Sequence, residues 1–292
     1  MARQHELTQW ILSNQHALDL KVRELTWIRP AFPGMTDLSV TITLEGIDVR
    51  GRGIDQQEDR ALGKAVCEAI ERFLCLHHGI PSTGVAGHYD MQEAKQNAKL
   101  EWIERACLYS HAKNGISLAP LSSEIVDVSY SGQSTKAGLH TFKMIVPQGY
   151  SAIACLVEGV STSAGFGGIL GLGCDKMRDR AMLKAKLECL RSVATLEDCP
   201  PIAISYSDFC RIENPNGNER KRLLFDFSYC ASLMNTLFKV SNTQGASVIE
   251  EPRLTWNEIL LPPTIPNECP LRFFRCMDQE APEHSPYLEF VG

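Results

Sequence analysis

A nine-residue helical phrase that recurs three times constrains this chain more than any other feature of its sequence. KAVCEAIER at 64–72, NAKLEWIER at 97–105 and KAKLECLRS at 184–192 align without a gap. The first copy lies within IDQQEDRALGKAVCEAIERFLCLHHG at 54–79, where Leu62, Val66, Ala69, Ile70 and Phe73 recur at helical spacing. Asp55 followed by Glu58 fits a capping box, and Gly79 before Ile80 and Pro81 predicts the end of the helix. With about 100° of rotation per residue, Lys64, Glu68, Glu71 and Arg72 fall together on the face opposite the apolar stripe.

The second copy sits on a helix predicted to open at Asp90 with Glu93 and to run to about Lys113, before Asn114 and Gly115. The third sits on a helix opened by Asp175. In the first, fifth, eighth and ninth places the copies read Lys64, Glu68, Glu71, Arg72, then Asn97, Glu101, Glu104, Arg105, then Lys184, Glu188, Arg191, Ser192. Five carboxylates occupy equivalent positions on three helices. Taken singly, each copy is an ordinary solvated face carrying i,i+4 pairs that stabilise a helix by about 0.2–0.5 kcal/mol each. Three faces converging on one cleft would crowd like charges, which calls for divalent cations or strong bases. Carboxylates interspersed with cations suit magnesium and a nucleotide's phosphates. The absence of thiolates and imidazoles from these positions argues against zinc.

Elsewhere the chain reads as mixed α/β. A short helix is expected within 6–20, a strand at 22–28, and a half-buried strand where Leu38, Val40, Ile42 and Leu44 alternate with polar residues. That strand leads to Gly51-Arg52-Gly53. The two glycines allow either a close approach to a ligand, with Arg52 facing phosphate oxygens, or a simple bend into the helix. IVDVSY, LHTFKMIV and AIACLVEGV, between 125 and 160, predict a sheet. The run AGFGGILGLG at 164–173 could cradle phosphate ahead of a helix or serve as a turn; it fits neither a Walker loop nor the dinucleotide spacing. PIAISY, ASVIEE and EILLPP are strand-like, 214–222 reads as an exposed loop, and one domain over 1–292 is expected, with the residues after 200 completing its sheets.

Composition excludes several functions. A formal net charge of −6 leaves no overall basic footprint for nucleic acid. The amino terminus is too polar for a secretory signal, and no apolar run approaches the roughly 20 residues of a membrane helix, so a cytoplasmic protein is expected. Eleven cysteines without a CxxC pair read as small buried hydrophobes of a reducing compartment. No histidine stands at metal spacing to another, and the sequence nominates no catalytic nucleophile or base.

The helical phrases resemble the ATP-site motifs of the YcaO family. That family carries SxxxExxER after a glycine-flanked basic residue, and this chain has Gly51-Arg52-Gly53 and then KxxxExxER over 64–72. The family's second motif places an Asn four residues before a Glu that continues to ExxER, matched by Asn97, Glu101, Glu104 and Arg105. Its third, a Gly-rich turn and a helix with ExxQ, is matched by 164–173, Glu188 and then Arg191. The resemblance covers about 39–198. It implies a YcaO-like α/β fold and ATP- and Mg2+-dependent activation of peptide backbone amides, leading to cyclodehydration, thioamidation or amidine formation.

Carried over position by position, Glu68, Glu71, Glu101, Glu104 and Glu188 would hold Mg2+. Arg52, Lys64, Glu68, Arg72, Asn97, Lys184 and Arg191 would meet the nucleotide or secure those carboxylates. A peptide or protein substrate and a separate substrate-presenting protein are implied as partners, and a homodimer is compatible with this reading. Lys64 stands where the family has Ser, Ala106 where it has Asp, and Arg191 where it has Gln. The chain ends in YLEFVG rather than a PxPxP terminus, which disfavours azoline formation. These departures also admit a non-catalytic YcaO-like subunit that binds a nucleotide or a partner.

Overall fold

The computed structural model describes residues 2–26, 28–29, 31–114, 116–130, 133–158, 167–196, 202–212, 222, 226, 230 and 253–278. The chain resolves into two compact units: Met1–Trp102 with Pro252–Ala281, and Ile103–Glu251 with Pro282–Gly292.

The first unit opens with α1 (Ala2–Ser13) and a three-stranded antiparallel sheet of β1 (Lys21–Leu25), β2 (Thr36–Leu44) and β3 (Ile47–Asp55), in that order. The alternation expected at 38–44 is realised: Leu38, Val40, Ile42 and Leu44 are all buried. Val40, Ile42 and Leu44 share one core with α2 (Glu58–His78), whose Val66, Ala69, Ile70 and Phe73 are fully buried. Gly79 ends α2 in the left-handed conformation, with its amide directed to the last-turn carbonyls, as its sequence position predicts.

The start of α2 departs from the expected capping box. Gln57 is the N-cap and makes no side-chain cap, while Asp55 accepts a hydrogen bond from the Gln57 amide at 3.2 Å. The expected amino-terminal helix likewise begins and ends earlier than 6–20. A second sheet completes this unit, with β10 (Arg272–Asp278) between β4 (Val85–His88) and β9 (Leu254–Ile259). The EILLPP stretch contributes only its first residues, to β9.

Helix α3 (Met91–Asn114) starts where the sequence places it, because the Asp90 carboxylate accepts from the amides of Gln92 (2.9 Å) and Glu93 (3.2 Å). In the second unit, β5 (Ala119–Tyr130), β6 (Gln133–Lys143), β7 (Ser151–Glu158) and β8 (Gly168–Asp175) form an antiparallel meander. Ala152 to Val157 of β7 are buried without alternation, as in a strand covered on both faces. Helix α4 (Arg178–Thr195) packs on β7 and β8 through Ala181, Ala185, Cys189 and Val193. PIAISY is not a strand: Ile202 to Ile204 have no regular structure, and Ser205 caps the short helix α5 (Tyr206–Phe209) by accepting from the Asp208 amide. The expected strand at 246–251, the loop at 214–221, residues 164–166 and the terminus 287–292 lie outside the described residues. Among the described residues, no helix is long and apolar enough to cross a membrane.

His111, buried on the last turns of α3, ties this unit together. Its Nδ1 lies 2.9 Å from the Ile116 carbonyl oxygen and its Nε2 accepts from the Ile145 amide at 2.9 Å, a neutral tautomer with both nitrogens used. Burial holds the imidazole below the ordinary histidine value. As pH falls below about 6.5 the unfolded chain takes up a proton that the folded chain refuses, so stability is lost towards acid. Chemical denaturation of the wild type and His111→Gln is expected to show a pH-dependent contribution, at most about 1.4 kcal/mol per pH unit, present only with the histidine. Equal slopes in both proteins would contradict this assignment.

Candidate functional site

Gly51 and Gly53 ahead of α2, and Gly171 and Gly173 ahead of α4, lie in strands packed on those helices. Gly51 and Gly53 belong to β3, opposite Val40 and Leu38, and face the backbone of α2. A Cβ on Gly53 would overlap the Ala61 carbonyl oxygen and lie 2.6 Å from the Ala65 amide nitrogen. Gly171 and Gly173 of β8 stand opposite Cys155 and Ile153 and meet α4 in the same way, with a Cβ on Gly173 overlapping the Ala181 carbonyl oxygen and lying 2.7 Å from the Ala185 nitrogen. At Gly171 and Gly173 the expected phosphate cradle at 164–173 is thus a strand pressed onto a helix.

This packing exposes a signal that the helical phrases alone had not revealed. Gly51, Gly53, Asp55, Ala61, Lys64, Ala65 and Glu68 recur 120 positions later as Gly171, Gly173, Asp175, Ala181, Lys184, Ala185 and Glu188. Each unit therefore presents a strand–helix element with a lysine and a glutamate in the same register. Glu68 accepts the Arg52 amide at 2.8 Å and Glu188 the Leu172 amide at 3.3 Å, the same backbone position in each copy.

In the first unit the close strand–helix contact sets Glu68 against β3, where its carboxylate also receives Arg72 at 2.7 Å. Glu71, one turn on, is half-buried. Its carboxyl is pushed well above the usual carboxylate range, first by burial, then by the charges of Glu101 and Glu68, with Arg72 and the Gly87 amide opposing. Glu71 is the member of this group that feels the charges of both of the others. Arg52 sends its guanidinium to the buried Asp37 at 2.7 Å, a partner that no local signal marks. Lys64 turns to Asp55 (2.8 Å) and the Ile54 carbonyl oxygen (3.0 Å). Asn97 is exposed on α3.

In the second unit Glu104 is buried and receives the Lys184 ammonium at 3.1 Å. Glu188 lies 3.8 Å from Arg105. Burial and Glu104 raise the Glu188 carboxyl, while Arg105, Lys184 and Arg191 pull it down. Arg105 belongs to this set although its motif position alone had not marked it. The second-unit carboxylates thus face cations supplied by the protein itself.

Among the described residues, no three of His, Cys, Asp and Glu are gathered as a preformed metal cage. Magnesium does not require one, because it is commonly held by one or two carboxylates together with substrate phosphates and water. Hard carboxylate oxygens and the charge crowding at Glu71 fit that ion. Burial pushes the Cys75 and Cys107 thiols up to about 12, which leaves them protonated and unreactive at neutral pH.

In structure the chain is similar to the YcaO from Methanopyrus kandleri bound with AMPPCP and Mg2+, with a TM-score of 0.64 and 12% identity over 99% of this chain and 94% of that one. It is also similar to a heterocyclase in complex with substrate and cofactor, with a TM-score of 0.54 and 12% identity over 92% of this chain and 51% of that one, so it spans about half the heterocyclase. No family model and no curated protein matches it in sequence. The mixed α/β architecture that the resemblance implies is present, and the fold is YcaO-like.

Proposed function

We propose that this chain binds ATP with Mg2+ and activates backbone amides of a peptide or protein, presented by a separate partner protein. The observation that carries the reading is the crowding of Glu71 by Glu68 and Glu101, with Arg72 alongside. A divalent cation relieves such crowding, and the ordinary alternative of a solvated helix face does not produce it. The shared fold adds weight, since a YcaO of that fold is bound with AMPPCP, an ATP analogue, and Mg2+.

When bound, ATP would phosphorylate the oxygen of an amide carbonyl to which a nucleophile has added, turning a poor leaving group into phosphate. The protein's part is positioning and charge neutralisation. Glu68, Glu71 and Glu101 would hold the metal, Arg72 would fix Glu68 and approach phosphate, and Asn97 is free to turn towards the nucleotide. Lys64, tied to Asp55, need not obstruct the glutamates. Arg52 would act behind them by securing β3 through Asp37. We treat 1–292 as one YcaO-like domain working in the cytoplasm, alone or as a homodimer, with cyclodehydration, thioamidation and amidine formation as its candidate reactions.

A second reading, a non-catalytic subunit that binds a nucleotide or a partner, is favoured by one observation: the second-unit glutamates already face Lys184 and Arg105. Phosphate release decides between the two. With peptide substrate and partner present, the wild type is expected to release phosphate, and Glu68→Gln and Glu101→Gln to lose that activity by at least about 100-fold, the scale of a lost electrostatic contact to a transition state. Undiminished release in both variants would defeat the assignment. Nucleotide binding without release by the wild type would support the subunit reading.

A further inference from the structure

The two copies of the strand–helix element allow one part of the chain to be compared with another. Both keep the lysine, the glutamate four residues on, and the amide that holds that glutamate to the strand. They differ in where the lysine goes. Lys64 is drawn to Asp55, at the end of its own strand. Lys184 reaches instead to Glu104 on another helix of its unit, and Glu104 is almost fully buried, with 2% of its side chain exposed.

A carboxylate buried to that degree requires a counter-charge, whether an ammonium or a metal ion, because removing one partner of a buried pair leaves an uncompensated charge. We propose that Lys184 is a built-in counter-ion that takes the place of a divalent cation at Glu104. On this account, which rests on the nucleotide reading above, Glu104 is not a metal ligand, and Glu188 next to it is served by Arg105 and Lys184. The metal that accompanies the nucleotide belongs to Glu68, Glu71 and Glu101 of the first unit.

The geometry supports this division on two counts. The Lys184 ammonium is within hydrogen-bond distance of a Glu104 oxygen, so an ion of magnesium's size at that oxygen would have to displace it. The guanidinium of Arg105 stands 3.8 Å from Glu188, so the neighbouring carboxylate also has a cation beside it. The family motif therefore overstates the metal set by the two glutamates of the second unit.

The test counts ions rather than turnover. Free Mn2+ is measured by electron paramagnetic resonance during titration into the full chain at saturating AMPPCP, for the wild type and for Lys184→Met, Lys184→Arg, Glu104→Gln and Glu71→Gln. Lys184→Met is expected to bind an additional Mn2+ per chain, because Glu104 has lost its internal cation, and Lys184→Arg to match the wild type. Glu104→Gln should leave the number unchanged, and Glu71→Gln should lose Mn2+. Loss of an ion in Glu104→Gln, or no gain in a folded Lys184→Met, would overturn the inference while leaving the nucleotide reading in place. If Lys184→Met does not fold, the Glu104→Gln count decides alone. A wild type that binds neither AMPPCP nor Mn2+ would overturn both.

Discussion

Gly53→Ala is expected to destabilise the first unit by about 3 kcal/mol or more, near the upper end of what overpacking costs. The added methyl would overlap the Ala61 carbonyl oxygen and sit 2.6 Å from the Ala65 nitrogen and 2.9 Å from the Ala61 carbonyl carbon. All three are backbone atoms of α2, so no side-chain rotation makes room. The strand and the helix must separate, and Glu68 moves with the helix away from the Arg52 amide that holds it. Gly46→Ala is the control: a Cβ there meets nothing within 4 Å, and only its φ of +75° is unfavourable, for about 1 kcal/mol. Urea denaturation compares the two directly. A Gly53→Ala protein no less stable than Gly46→Ala would show that β3 and α2 are not in contact as described.

Asp37→Ala is expected to cost about 3–5 kcal/mol, the usual effect of breaking a buried ion pair from one side. Asp37 is completely buried and receives the Arg52 guanidinium, itself 9% exposed, at 2.7 Å. Removal of the carboxylate leaves a guanidinium where water reaches poorly. Replacement of both partners by apolar residues, as in Asp37→Leu with Arg52→Met, should recover most of the loss, because desolvation of both charges is then avoided. The pair is consequently a fixed strut under Glu68 rather than a source of net stability. A single substitution that costs less than about 1 kcal/mol, or a double variant no better than the single, would contradict this description.

The helices were legible in the sequence because their signals are local. Asp90 caps α3 through the amides two and three residues on, Gly79 supplies the left-handed end of α2, and the 3.6-residue stripe of Val66, Ala69, Ile70 and Phe73 is the buried face. Strands fared less evenly. The alternation at 38–44 was plain, whereas β3 and β8 were hidden by their glycines, which read as turns or ligand loops when considered alone. Their use is set by Ala61, Ala65, Ala181 and Ala185, helix residues several positions away whose backbone the strands must approach. β10 was missed because RFFRCMD owes its place to partners far off in sequence, 85–88 and 254–259.

The candidate site was legible as a set of glutamates, and their spacing on three helices was enough to suggest the YcaO resemblance. Which cation each glutamate meets was not. That choice depends on how a long, flexible side chain extends from one element to another. Lys64 and Lys184 occupy the same place in two copies of one phrase and still go to Asp55 and to Glu104. Arg52, flanked by glycines and resembling a phosphate ligand in sequence, is buried against Asp37, because the antiparallel register sets Ser39 opposite Arg52 and leaves Asp37 two residues along the same strand.

The central claim, that crowded carboxylates of this chain receive a magnesium nucleotide, is tested most directly by calorimetric titration of the protein with ATP, with and without Mg2+, in the wild type and Glu68→Gln. The account predicts binding that requires Mg2+ and is lost in the variant. Equal binding with and without Mg2+, or unchanged Mg2+-dependent binding by Glu68→Gln, would contradict it.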